Sequence, residues 1–216
     1  MKPTLPFALL ALLFGPPLAN CQLYAVNAPF DSSAYAPLDG PQRFQRWLSE
    51  DGTSPAIHLH ALVVSTITQA MDEPPQWGRT TGGFARRVRG EYSGTFIANS
   101  VHDTLAAALG TDPRYFRCAC TGLFRRTGHA MEMTFLTYNR DGHKTLDLPQ
   151  LTGQYGSEMV STLWLPSHYS PLVQGLQAGH MEMGLIGALH IVQEFYPELK
   201  RFFHVRNSLI ASVVQR

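Results

Sequence analysis

The sequence predicts a mainly α-helical protein, a single-domain helical bundle with a short β-hairpin near residues 134–148. Three observations carry this. A polar cap followed by proline recurs at Ser54-Pro55, Asp112-Pro113 and Ser170-Pro171, a device that opens helices and turns. Long stretches free of proline lie between these signals. Small residues fall four apart, at Gly90, Gly94 and Ala98, at Gly153, Ser157 and Ser161, and at Gly175 and Gly179. That spacing sets each group on one helix face and suits close helix packing.

The chain starts with Lys2, an apolar run from Leu5 to Phe14, Gly15-Pro16-Pro17, and then Leu18-Ala19-Asn20-Cys21. A basic start, an apolar core and a small-residue end describe a secretory signal peptide over residues 1–21. The run is short for a membrane span. Two outcomes compete, ordinary cleavage leaving Gln22 first, or lipidation of Cys21 at a lipobox-like site. Asn20 fits poorly before a lipidated cysteine, which favours ordinary cleavage. Export places the protein in the periplasm or outer envelope.

Residues 22–52 are rich in Pro, Ala, Ser and Asp and read as a mobile leader. Within it, Pro41 to Glu50 is a short amphipathic helix with Phe44, Trp47 and Leu48 on one face. The helical domain spans 53–216. Its first helix runs from Ala56 to Met71 and stops before Pro74-Pro75. A second runs from about Gly83 to Leu109, with Gly110 as its stop. Leu123 to Leu136 reads as helix. Asp141-Gly142 marks a tight turn between hairpin strands. Pro149 opens a helix ending at Leu165, and Ser170-Pro171 opens one reaching Tyr196, before Pro197. A frayed segment from Glu198 to Val214 follows. The Pro171–Tyr196 stretch carries Glu182, Glu194, His180 and His190, costly groups in hydrocarbon, so a soluble or surface-attached bundle is expected.

Without residues 1–21 the chain keeps sixteen basic and sixteen acidic side chains. That balance argues against a dedicated nucleic-acid binder. Only Cys118 and Cys120 remain as cysteines. A ring closed across one residue is expected to be strained, so the pair reads as two small half-buried residues rather than a disulfide.

Five stretches occur in one order over about residues 70–200: Glu73-Pro74-Pro75-Gln76-Trp77-Gly78, Asp112-Pro113-Arg114-Tyr115-Phe116-Arg117, Arg125-Arg126-Thr127-Gly128-His129-Ala130, Gly153-Gln154-Tyr155-Gly156 and Trp164-Leu165-Pro166. In these the chain resembles a family of uncharacterised exported proteins from acidobacteria and related soil bacteria. The resemblance implies a shared helical domain behind a signal peptide and implies no reaction. Cys118-Ala119-Cys120 departs from the pattern, where polar or glycine residues are usual.

Charge is uneven along the chain. Between Trp77 and Thr127 lie Arg79, Arg86, Arg87, Arg89, Arg114, Arg117, Arg125 and Arg126, against Glu91, Asp103 and Asp112, an excess of five positive charges. Every base is arginine, suited to forked bonds with carboxylate or phosphate. Three readings stay open. The arginines are structural, paired to acids or packed on aromatics. Alternatively Arg86, Arg87, Arg114, Arg117, Arg125 and Arg126 form an anion-binding surface for anionic lipid or an envelope polymer. The third is a phosphate-ester hydrolase in which Arg117, Arg125 and His129 act beside a His102-Asp103 orienting pair. The non-enzymatic envelope-associated reading is the preferred function.

No cofactor or metal is expected. His58 and His60 point to different faces of a helix. His129 with Glu132 and His190 with Glu194 share faces, but in the reverse of the Glu-before-His order of bundle di-metal sites. The sequence has no phosphate-binding glycine loop before Lys-Ser or Lys-Thr and no Gly-x-Ser-x-Gly elbow.

Overall fold

The computed structural model describes residues 29–52, 54–166 and 169–214. The signal-peptide and Cys21 expectations lie outside the described residues. Helix α1, Gly40–Arg46, runs into a π-helical turn, Trp47–Gly52. Then come α2, Pro55–Met71, and α3, Thr81–Leu109. After these follow α4, Leu123–Glu132, the strands β1, Leu136–Tyr138, and β2, Lys144–Leu146, and finally α5, Leu148–Ser161, and α6, Pro171–Val214. The fold is mainly helical with one two-stranded antiparallel sheet, as the sequence predicts. Among the described residues, no helix is long and apolar enough to cross a membrane.

Local chemistry sets most boundaries. Pro55 opens α2 behind Ser54, and Asp72 closes it in the left-handed region. Thr80 accepts from Gly83 N at 3.1 Å and starts α3 two residues before the expected position. Gly110, at φ 72°, ends it, a backbone state that costs glycine little. The Asp147 carboxylate caps α5 through Gln150 N.

Three helix ends differ from expectation. Helix α5 stops at Ser161, not Leu165, and residues 162–164 continue only as turn. Helix α4 stops at Glu132, not Leu136, because the Tyr138 carbonyl accepts from Asp112 N and Leu136 pairs across the hairpin with Leu146. Helix α6 continues through Pro197 to Val214. Proline removes one ladder bond there, but Arg126 braces the turn, bonding the Glu194 backbone carbonyl and the Glu194 and Glu198 carboxylates.

The small-residue faces meet as their spacing predicts. A Cβ added at Gly153 would sit 2.6 Å from the Ala98 carbonyl oxygen, so α3 and α5 touch backbone to backbone. Gly179 and Gly175 of α6 seat Tyr155 and Met159 of α5. Helix α2 packs on α3, and α4 lies on α6. The apolar core includes Ala56, Ile57, Ala61, Ala98, Ala106 and Met183.

Residues 29–52 are held against the bundle, where the sequence suggested a mobile leader. Phe30 stacks on Tyr138 at 3.7 Å between centroids. The Tyr35 hydroxyl donates to Asp112 at 3.1 Å, Arg43 donates to the Thr111 carbonyl at 2.9 Å, and Arg46 meets Asp103 at 2.8 Å. Aromatic stacking and three polar anchors offset the chain entropy that composition alone leaves unopposed.

Candidate metal centre

Helices α2, α3 and α6 each turn one ligand-type side chain, His60, Glu91 and Glu182, to a common point, and Glu158 of α5 is near enough to act on the two glutamates. His60, Glu91 and Glu182 each offer a ligand atom, and these atoms lie within 4.8 Å of one another. Glu158 stands across the same space, its Oε1 3.7 Å from where a Cβ on Gly94 would be. The close α3–α5 approach, set by Gly153 on Ala98, brings Glu91 and Glu158 together.

His60 Nε2 is 3.5 Å from Glu182 Oε2 but makes no hydrogen bond among the described residues, although its side chain is only 10% exposed. A buried imidazole nitrogen normally finds a partner. The acids are also poorly compensated. Burial first, then the charges of Glu158 and Glu182, push the Glu91 pKa up to about 8. Burial, then Glu158, pushes Glu182 up to about 7. Burial raises Glu158 as well, against hydrogen bonds from Gln174 and Ser161 that pull it down. Burial lowers the His60 pKa, favouring a neutral imidazole. A neutral imidazole among crowded carboxylates is a donor set for a divalent cation.

A cavity of about 120 Å³ adjoins the cluster, with Glu91 and Glu158 in its wall. Glu73, Pro74 and Trp77 of the Glu73–Gly78 stretch, with Trp164, shape it. Arg87 fixes that stretch. It is buried and donates to the carbonyls of Glu73 at 2.7 Å, Gly78 at 2.8 Å and Pro74 at 3.0 Å, and to Gln69 Oε1 at 2.6 Å.

The arginines marked out by sequence do not form one surface. Arg87 is interior, which corrects its place in the anion-binding set. Arg114 closes on Asp112 at 2.6 Å, and Arg126 on Glu194 and Glu198. Arg86 and Arg125 are exposed, and Arg117 is half-buried. The Arg114–Met133 region is organised by Glu194, which is fully buried. It accepts from Tyr115 Oη at 2.7 Å, from Cys118 N at 3.0 Å and from Arg126 Nε at 3.2 Å. Cys118 and Cys120 form a disulfide with Cα atoms 5.1 Å apart, correcting the expected free thiols. That separation lies inside the ordinary range, so one intervening residue suffices.

The expected catalytic set is likewise divided. His102 Nε2 faces Asp147 at 3.7 Å, while Asp103 pairs with Arg46. Neighbours on a helix point about 100° apart, which is why His102 and Asp103 do not orient one another. His129 Nε2 bonds the Phe116 carbonyl at 3.0 Å. Glu132 pairs with Lys144 instead of His129, and Glu194 with Arg126 instead of His190.

His190 is stacked on Tyr115 at 4.2 Å and contacts Thr134 Oγ1 at 3.3 Å. Burial pushes its pKa down to about 4; the Ala130 backbone and Asp147 pull upward, and His102 and His129 add to the lowering. Its unfolded value is 6.5, so between those limits the unfolded chain binds the extra proton. Its contribution to stability is complete above about pH 6.5 and is lost as pH falls toward 4, a loss of about 3 kcal/mol. His190→Phe keeps the stacking and removes the proton site. Denaturant midpoints at pH 4.5 and 7.5 are expected to differ less in that variant. An unchanged difference would remove His190 as the acid-sensitive group.

The fold and this ligand set define a helical bundle with an interior carboxylate–histidine cluster. Comparison of the chain with protein-family models, curated proteins and solved structures finds no match.

Proposed function

We propose that the protein binds a divalent first-row transition cation, of the manganese, iron or zinc kind, at His60, Glu91, Glu158 and Glu182. The supporting observation is the convergence of His60, Glu91 and Glu182 from three helices, with Glu158 acting on both glutamates and His60 Nε2 without a hydrogen bond among the described residues. Imidazole with carboxylate suits these ions, whereas all-oxygen sets suit magnesium and calcium. Interior sites between facing helices are a standard place for such ions. The test is metal content after equilibration with Mn²⁺ or Zn²⁺ and desalting. Retention of about one cation per chain is expected, with loss of stoichiometric binding on Glu91→Gln plus Glu182→Gln. Equal retention by both proteins would refute the site.

The export reading accompanies this one. The leader at residues 1–21 directs the chain to the envelope, where a Cys118–Cys120 disulfide persists. The family resemblance, with its exported helical domain, is part of the same proposal.

A second reading, contact with an anionic lipid surface, has its own support. At the start of α4, Phe124 is 90% exposed beside exposed Leu123 and Arg125. An aromatic with a neighbouring cation suits insertion at charged headgroups. Vesicles containing anionic lipid are expected to retain the protein at low salt and release it at high salt, with Phe124→Ser plus Arg125→Ser abolishing retention. Equal binding to neutral vesicles would exclude this contact.

A further inference from the structure

Resting on the cation reading above, we infer that the cavity is the route by which the divalent cation reaches the cluster, with Glu73 as the capturing carboxylate at its mouth. Among the described residues the wall carries three carboxylates, Glu73, Glu91 and Glu158, and one basic side chain, Arg87. The acids differ in depth. Glu73 is exposed, whereas Glu91 and Glu158 are partly buried. Glu91 belongs both to the wall and to the ligand atoms gathered with His60 and Glu182. The cavity therefore runs from a surface carboxylate to the edge of the cluster.

The wall suits the passage of a cation. Arg87 does not oppose it with a loose charge. Its guanidinium faces Asp72 at 3.6 Å and donates to Gln69 and to the carbonyls of Glu73, Pro74 and Gly78. A cleft of one charge sign with apolar walls focuses the field and concentrates the opposite ion. Trp77, Trp164 and Leu165 supply apolar surface here. Gly90 leaves the indoles room, because a Cβ there would lie 3.3 Å from Trp164 Nε1 and 3.8 Å from Trp77 Cη2. The volume of about 120 Å³ equals roughly four waters, enough for an ion that keeps part of its hydration shell. Tyr169, also in the wall, donates to Glu73 Oε1 and holds that carboxylate at the mouth. Glu73 lies outside the group whose ligand atoms meet, so its charge acts on a cation in transit more than on a bound one.

The test follows entry and release of cobalt(II) in the full chain by stopped-flow fluorescence. Trp77 and Trp164 line the route, and cobalt quenches indole emission at short range. At low salt Glu73→Gln is expected to slow entry about threefold and Glu73→Lys about tenfold, within the span of electrostatic steering. Release into excess chelator crosses the same barrier in reverse. It is expected to slow by about the same factors, leaving the equilibrium affinity within about twofold. The differences are expected to shrink at about 1 M salt, where the Debye length is about 3 Å. Asp141→Asn removes an exposed acid of the hairpin turn that is not part of the wall, and is expected to leave both rates unchanged. Equal entry rates in all four proteins would overturn the route, as would an Asp141→Asn effect as large as that of Glu73→Gln. Slower entry with unchanged release would place Glu73 beside the bound cation and overturn its part in passage. Each of these results leaves the cation site standing. Failure of the unsubstituted chain to retain cobalt after desalting would overturn the cation reading, and the route with it.

Discussion

Glu91→Gln is expected to weaken divalent-cation binding by at least about a hundredfold, and at the same time to stabilise the cation-free protein. The first effect follows from loss of a ligand. Outer-shell changes alone cost roughly 10- to 100-fold in affinity, and a direct ligand costs more. The second follows from the electrostatics of the interior. Glu91 is buried against Glu158 and Glu182, and no arginine or lysine ion pair with any of the three occurs among the described residues. Replacing such a charge with a neutral group of the same shape relieves desolvation and like-charge repulsion, a gain of about 1–3 kcal/mol. Gain of stability with loss of binding is the mark of a site maintained for a ligand. A purely structural glutamate predicts the reverse, a loss of stability and no metal phenotype. Urea midpoints of the metal-free proteins, with isothermal titration of Mn²⁺, separate the two. A less stable Glu91→Gln protein with unchanged Mn²⁺ affinity would end the cation reading.

The helices were legible because their signals are local. Ser54-Pro55, Gly110, Pro171 and the four-residue spacing of small side chains each act within a turn or two, and the structure follows them. Pro197 misled because its rescue is not local. Arg126, on a different helix, holds the turn that the proline weakens. The carboxylate–histidine cluster was invisible for a related reason. Its members lie on four helices with one residue each, so no spacing motif exists, and pairs such as His129 with Glu132 drew attention instead. A signal was present nonetheless. Glu91 lies beside Gly90, Glu158 between Ser157 and Ser161, and Glu182 follows Gly179 on α6. Acids embedded in small-residue stripes are bound for a helix interface, where a charge needs a partner. The arginine excess pointed the other way. Closeness along the chain suggested a shared surface, but helical geometry sends Arg86 outward and Arg87 inward.

Glu194→Ala is expected to cost about 3–5 kcal/mol, the largest single-residue loss of stability outside the apolar core. The Glu194 carboxylate is fully buried and receives the Tyr115 hydroxyl, the Cys118 amide and Arg126 Nε. These three donors come from the loop before α4 and from α4 itself, so one side chain of α6 docks the whole Arg114–Met133 region. Truncation takes a charged acceptor from the half-buried Tyr115 and Cys118 donors, which costs more than a lost surface pair. Arg126 would retain Glu198, at 2.6 Å, and its stacking over Phe195, at 4.3 Å, which limits the damage on that side. Glu194→Gln keeps an acceptor and is expected to lose about half as much. Glu198→Ala removes a carboxylate that is 53% exposed and is expected to lose less than about 1 kcal/mol, because water screens it. Urea denaturation of the three variants gives the ranking directly. A Glu194→Ala loss no larger than that of Glu198→Ala would mean that the buried pair does not hold the corner together. The arginines around it would then have to be explained by something they bind rather than by what they support.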